Sequence, residues 1–272
     1  MFRSIPSPPT SAIEIGPLTI HFYALCIMLG IALAIWLGDR RFRVVAPHAK
    51  SVVSEIAIAA VPFGIIGGRI YHVITSPDAY FGDGGHPLDA FKIWQGGLGI
   101  WGAISLGTLV AWLRYRSLTV RMELPAFSYF MDALAPAILL AQAIGRFGNW
   151  FNIELFGGPL TAPWALSIPM SQRPVGYTQF ETFHPTFLYE AIWSTALAIV
   201  LMRIGKRLHA GQVFTIYIAG YCLGRVAIES IRIDEAHHIF GLRINVLVGI
   251  VVGIGAIISF LRQNKVRGEN LR

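Results

Sequence analysis

With 272 residues, of which 54% are hydrophobic and only 14% charged, and a mean hydropathy of +0.58, the chain is not an ordinary soluble domain, which would carry about a quarter charged residues. The net charge of +7 is not a nucleic-acid footprint, because the basic residues fall in blocks between long apolar runs. Those blocks report membrane topology instead.

Seven apolar runs are each long enough to cross a hydrocarbon core of about 30 Å as a helix. The first, about 18–38, contains Tyr23 and Cys26 and is followed by Arg40, Arg41, Arg43 and Lys50. It has no basic leader and no small-residue cleavage site, so it is expected to persist as a helix. The second, about 52–76, carries Arg69 and His72 one turn apart near its end. The third, about 96–114, opens on "WQGGLGIWGA" with Trp101 early in the span, and Arg114, Arg116 and Arg121 follow. The fourth, about 126–147, holds Asp132 and ends in "GRFGNWFNIELFGG", residues 145 to 158, where Arg146, Asn149, Asn152 and Glu154 crowd a glycine-punctuated helix exit.

A connection of about 37 residues, 148–184, comes next and is expected to form a small head, since loops that long are usually functional. In "HPTFLYE", His184 precedes the fifth run (about 186–203), Pro185 suits a first helical position, and Glu190 falls inside the membrane register. Arg203, Lys206 and Arg207 follow it. The sixth run, about 211–231, places Tyr221, Arg225 and Glu229 at i, i+4 and i+8, with Arg232 continuing that face. The seventh, about 244–262, leads into Arg262, Lys265, Arg267 and Arg272. Cys26 and Cys222 both lie inside runs, without metal-ligand spacing, and are expected to be packing residues.

Fourteen of the 22 basic residues lie on alternate connections. The positive-inside bias then puts the N-terminus outside and the C-terminus in the cytoplasm. The expected fold is an all-α integral membrane protein, residues 1–272 forming one domain, a bundle of about seven transmembrane helices with a periplasmic head. In this topology Tyr23, Arg69, Trp101, Arg146, His184 and Arg225 all belong to the outer-leaflet side. A cation at the bilayer centre costs about 2.5–3.5 kcal/mol, so Arg69, Arg146 and Arg225 need pairing, water or a ligand. Each has a plainer reading as well. Arg225 and Glu229 could be an internal ion pair, Arg69 could snorkel to headgroups, His184 could be an interfacial cap, and Trp101, Trp150 and Trp164 could be belt aromatics. Arg146 with Asn149 and Glu154 points to function. Guanidinium groups bind phosphate by forked, charge-assisted hydrogen bonds, and the phosphate at that depth belongs to a phospholipid, an anionic one if cations outnumber carboxylates.

Several motifs, in order along nearly the whole chain, resemble the bacterial prolipoprotein diacylglyceryl transferases. They are "IHFYAL", "GGRI", "WQGGLGIWGA", "GRFGNWFNIELFG", "HPTFLYE" and "GRVAIESIR". The resemblance implies an enzyme that moves the diacylglyceryl group of phosphatidylglycerol to the lipobox cysteine thiol of a prolipoprotein signal peptide, releasing glycerol phosphate. It implies a multi-pass protein of the bacterial cytoplasmic (inner) membrane, with its site toward the outer leaflet, and neither cofactor, metal nor nucleic acid. Arg146 and Arg225 are the expected holders of the leaving phosphate, with Asn149 and Tyr221 as added donors and Glu154 and Glu229 orienting the arginines. Tyr23, Arg69, Trp101, Gly157 and His184 are expected to complete the phosphatidylglycerol pocket, Gly157 by letting the chain turn.

The family often has a histidine where this chain has Trp101, and an indole is no base at neutral pH. Proton removal then falls to His184, Tyr221 or solvent, or needs no protein base. The last is favoured, because an arginine field would itself lower the thiol pKa. Two other classes fit less well. An anion transporter would spread its polar residues through the full membrane depth. A metal-dependent phosphatidyl transferase would cluster carboxylates, whereas Asp132, Glu154, Glu190 and Glu229 lie on separate segments.

Overall fold

The computed structural model describes residues 4–16, 18–236, 238–239 and 241–270, without the side chains of 95, 238–239 and 266–270. Arg3 and Arg272, and the side chain of Arg267, lie outside it. A long helix occupies each predicted run: α1 (Phe22–Val45), α2 (Val52–Thr75), α4 (Ile100–Thr119), α5 (Phe127–Asn152), α6 (Thr186–Ile204), α7 (Gln212–Glu229) and α8 (Ile244–Asn270), with a single turn, α3 (Asp78–Phe81), after α2. Five of these, α1, α2, α5, α6 and α8, are long and apolar enough to cross a membrane. Arg114 and Arg116 make α4 more polar, and Arg225 and Glu229 do the same for α7. The chain is a mostly helical membrane protein.

The helices do not stop where the apolar runs stop. Arg43, Arg116 and Arg203 occupy the last turns of α1, α4 and α6, where a cation meets the negative end of the helix dipole. The all-α expectation needs correction, because three short antiparallel ladders are present. They are β1 (Ala12–Ile15) with β2 (Leu18–His21), β3 (Leu166–Ser167) with β4 (Thr182–Phe183), and β5 (His238–Ile239) with β6 (Leu242–Arg243). The first run therefore becomes helical only at Phe22, whose N–H donates to the Ser11 carbonyl at 2.9 Å. Residues 18–21 are strand because their backbone pairs with the segment before Gly16, which turns at φ 59°.

Contacts divide the chain into two compact units, one of residues Met1–Leu37 with Met131–Arg272 and one of Gly38–Phe130. In the first, Ala135, Leu139, Ala198, Leu201 and Val213 form a core between α5, α6 and α7. The connection from α5 to α6 has its own core of Phe156, Leu166, Ile168 and Phe183 against Phe187. In the second, Phe42, Tyr115 and Phe130 are buried, with ring centroids 5.2–6.2 Å apart.

The glycines of "GGRI" and "WQGGLGIWGA" serve the contact of α2 with α4. A Cβ on Gly102 would collide with the carbonyl oxygen of Gly67 and lie 2.5 Å from Tyr71 Cβ. Gly102→Val is therefore expected to destabilise the protein by about 1–3 kcal/mol, the usual penalty for overpacking. Thermal unfolding in detergent measures it, and an unchanged midpoint would show that the helices separate freely.

Candidate active site

The site of the first unit is built where α5 ends. Gly148 does not stop the helix. It lets the Tyr23 ring lie against α5, since a Cβ there would come 2.6 Å from that ring. The helix runs on to Asn152. Ile153 and Leu155 then take left-handed backbone angles, φ 52° and 60°, at a cost of about 1–3 kcal/mol each for non-glycine residues. Between them Glu154 is turned back onto the helix. Asn149 Nδ2 donates to Glu154 Oε1 at 2.7 Å, and Asn152 Nδ2 reaches the same oxygen at 3.4 Å.

Gly157 does not make this turn. Its φ is not positive, and it is needed for close approach instead: a Cβ would lie 2.8 Å from His184 Cβ and 2.9 Å from the Ile231 carbonyl oxygen. Backbone bonds at 3.0 Å, Gly157 N–H to the His184 carbonyl and Gly158 N–H to that of Ile231, tie the α5–α6 connection to the ends of α6 and α7.

Glu190 joins the two principal arginines. Its Oε2 accepts from Arg146 Nε at 2.8 Å and its Oε1 from Arg225 Nη1 at 2.9 Å. Arg225 Nη2 then meets Glu229 Oε2 at 2.6 Å. Glu229 is wholly buried and accepts also from Arg232 and Arg243, each at 3.0 Å, and from Asn245 at 3.2 Å. Asp234 closes the far side, at 2.7 Å from Arg232 Nε and 2.8 Å from Arg243 Nη2. Four guanidiniums are thus ion-paired through three carboxylates, one positive charge in excess among the described residues. Glu154, reached only through Asn149, would bring the tally level.

The side chains of Arg146 and Arg225 stay 21% and 19% exposed. Arg146 also holds only long contacts at its fork, 3.2 Å to Asn149 Oδ1 and 3.4 Å to the Tyr221 hydroxyl. One turn further along the same two helices, Gln142 Nε2 donates to the Tyr217 hydroxyl at 3.2 Å, while Gln142 Oε1 is buried without a hydrogen-bond partner. Donors near the limit of hydrogen bonding are readily re-aimed at an incoming anion.

The structure thus brings together Tyr23, Arg146, Asn149, Glu154, Tyr221, Arg225 and Glu229. It makes Glu190, named from sequence only as a residue in want of a partner, the link between the arginines. Arg243, Asp234 and Asn245 had no signal in the sequence, because nothing in local periodicity couples α7 to the start of α8. His184 Nδ1 lies 3.2 Å from the Tyr189 hydroxyl, which accepts from Trp164 Nε1 at 3.2 Å. Asp132 finds its partners elsewhere, accepting from the N–H groups of Gly211 at 2.6 Å and Phe214 at 2.8 Å. It caps α7 at the helix end away from the arginines.

Arg69 and Trp101 belong to the second unit. Arg69 does not snorkel. It is 7% exposed, with Nε donating to the Ala90 carbonyl at 2.8 Å, its other nitrogens donating to the carbonyls of Asp89, Gly96 and Gly97, and the Tyr80 ring 5.2 Å away. It organises its own loop. Trp101, in the first turn of α4, is 39% exposed.

Partial burial pushes the Asp234 carboxyl up, but hydrogen bonds from Arg232 and the charges of Arg232 and Arg243 outweigh it and hold the group below the usual aspartate range. A depressed folded-state pKa contributes stability above the unfolded value of about 3.9, which is lost as pH falls through the folded value. The wild type is expected to lose stability more steeply than Asp234→Asn as pH drops below about 4. Melting curves from pH 7 downward test this, and parallel curves would refute it.

Residues 10–262 match the family described as prolipoprotein diacylglyceryl transferase. Over 255 residues the chain is 49% identical to phosphatidylglycerol–prolipoprotein diacylglyceryl transferase 2 of Streptomyces coelicolor, covering 93% of this chain and 78% of that protein. Over 260 residues it is 51% identical to the phosphatidylglycerol–prolipoprotein diacylglyceryl transferase of Cutibacterium acnes, covering 95% and 86%. The enzyme of the same name from Streptomyces griseus is 49% identical over 266 residues, covering 97% and 78%.

Proposed function

The chain belongs to the prolipoprotein diacylglyceryl transferase family, and from that premise we propose that it transfers the diacylglyceryl group of phosphatidylglycerol to the lipobox cysteine thiol of prolipoprotein signal peptides. The transfer opens lipoprotein maturation. In this reading a C–S bond forms at the glyceryl carbon as the C–O bond to phosphate breaks. The electron pair goes to the phosphate ester oxygen, so glycerol phosphate leaves. The nucleophile is the substrate's own thiol.

One observation carries the assignment of roles: Arg146 and Arg225 converge on Glu190 from two helices, both partly exposed. Glu190 takes one N–H from each and Glu229 a second from Arg225, so the fork of Arg146, held only by long contacts, is the part most open to a phosphate. The two partly exposed cations gain in value as charge gathers on the leaving oxygen. Asn149 and Tyr221 are added donors, and Glu154 and Glu229 set the arginines in place. Tyr23, Gly157 and His184 complete the phosphatidylglycerol pocket. The proton of the thiol passes to solvent. His184→Ala is accordingly expected to keep the shape of the wild-type pH–rate profile, and a changed shape would make His184 the base.

The same reading sets the protein in the bacterial inner membrane as one integral domain crossed by seven helices, N-terminus outside and C-terminus in the cytoplasm. The site faces the outer leaflet, with 148–184 as a periplasmic head. The test is a membrane assay with labelled phosphatidylglycerol and paired lipobox peptides carrying Cys or Ser. Label on the Cys peptide alone is expected, and label on neither, with both substrates delivered to the bilayer, defeats the assignment.

A further inference from the structure

A cavity of about 750 Å³ opens in the first unit at the opposite end of α7 from the arginine network, beside Gln212. With α7 running 18 residues, Gln212 to Glu229, the two places are about 25 Å apart along the helix axis at 1.5 Å per residue. One wall is a face of α8: Gly255, Ile258, Ser259, Arg262 and Gln263, at i, i+3, i+4, i+7 and i+8. His209 completes the rim. The wall is graded along the helix, apolar at Gly255 and Ile258 and cationic about 10 Å further on at Arg262.

The two ends of the unit treat cations differently. Each arginine of the network meets a carboxylate, whereas Arg262 is exposed and has no carboxylate within salt-bridge distance among the described residues. Beside it, Gln263 Oε1 is buried without a hydrogen-bond donor, although its Nε2 is bonded to Thr215 and Ser259 at 3.3 Å. At Gly255 an added Cβ would meet nothing within 4 Å, so that residue borders open space rather than a neighbouring helix.

We propose that this cavity holds an anionic phospholipid, its phosphate at Arg262, a hydroxyl or amine of its headgroup donating to Gln263, and its chains beginning along Ile258 and Gly255. The graded wall matches the order of groups in a phospholipid, and the volume falls within the range of about 300–1,000 Å³ typical of ligand sites. An unneutralised arginine at headgroup depth supplies the preference for negative charge, about 1 kcal/mol for one cation. Under the orientation proposed above, this is the cytoplasmic leaflet, so the lipid is not the one consumed at the arginine network.

Native mass spectrometry of the detergent-solubilised full chain tests this, using dioleoyl phosphatidylserine, dioleoyl phosphatidylcholine and inorganic phosphate as probes. The wild type is expected to retain one phosphatidylserine about fivefold better than phosphatidylcholine, one cation's worth. Arg262→Gln should remove that preference. Gly255→Leu, whose added Cβ meets no protein atom within 4 Å, should remove the lipid held at Arg262, while in Arg146→Gln the Arg262-dependent preference should persist. A melting curve on each variant confirms that it is folded. Equal retention of the two lipids, retention unchanged in folded Gly255→Leu, loss of the Arg262-dependent preference in Arg146→Gln, or displacement of the lipid by millimolar phosphate would each overturn the proposal.

Discussion

Replacing Arg146 by alanine is expected to slow diacylglyceryl transfer by about 10²–10³-fold, the usual cost of removing one preorganised donor to developing charge, while the protein still folds. The two halves of that expectation have separate grounds. Arg146 offers its fork to the outside through bonds of 3.2 and 3.4 Å, so little of the fold depends on those nitrogens. Glu190 keeps Arg225 at 2.9 Å after the change, so no buried carboxylate is left wholly unpaired. Lysine at the same position keeps the charge but not the fork, and is expected to recover only a small part of the rate. The assay pairs the transfer rate with phospholipid binding by the purified variant. If Arg146→Ala binds and transfers as the wild type does, the arginine pair is an ion lock and the phosphate is held elsewhere.

The largest loss of stability is expected at Glu229. This side chain is wholly buried and accepts from Arg225, Arg232 and Arg243, with Asn245 as a fourth donor. Glu229→Ala would leave those guanidiniums facing a small apolar gap. Breaking a buried ion pair by removing one partner costs about 3–5 kcal/mol, and here three cations share the lost partner. Asp234 still neutralises Arg232 and Arg243 from the other side, and Glu190 still holds Arg225, which limits the damage. Thermal unfolding in detergent should show a large drop in midpoint. A midpoint close to the wild type would mean that Asp234 and Glu190 suffice and that Glu229 is redundant in the fold.

The contrast between these substitutions separates support from chemistry within one network. Arg146 and Arg225 are its partly exposed side, where the proposed function puts the phosphate. Glu229, Arg232, Arg243 and Asp234 are its buried side and hold Arg225 in one orientation. A catalytic guanidinium left to itself loses rotamer entropy on binding. One pinned by two carboxylates has lost it already, which is what preorganisation requires.

The long helices among the described residues were legible in the sequence, five of them as runs apolar enough to cross a membrane, because a run of some twenty apolar residues is a local property that needs no knowledge of neighbours. So was the list of polar residues that a membrane helix cannot carry without partners: Arg146, Glu190, Arg225 and Glu229 announce themselves by cost alone. What each residue partners was not legible. Asp132 and Glu190 raised the same demand in sequence, yet one caps α7 and the other joins two arginines. Arg69 and Arg146 were equally conspicuous, yet one binds the carbonyls of its own loop and the other a carboxylate on a different helix.

Composition and motif order determined the class of this protein, its helices and the set of residues whose burial must be explained. Only the folded chain decided which of them meet, since Arg146, Glu190, Arg225, Glu229 and Arg243 come from three helices and the strand before the last helix. Hydrophobic periodicity acts within one segment, whereas a charge in a low-dielectric interior is satisfied by whatever packing brings within about 3 Å, however distant along the chain.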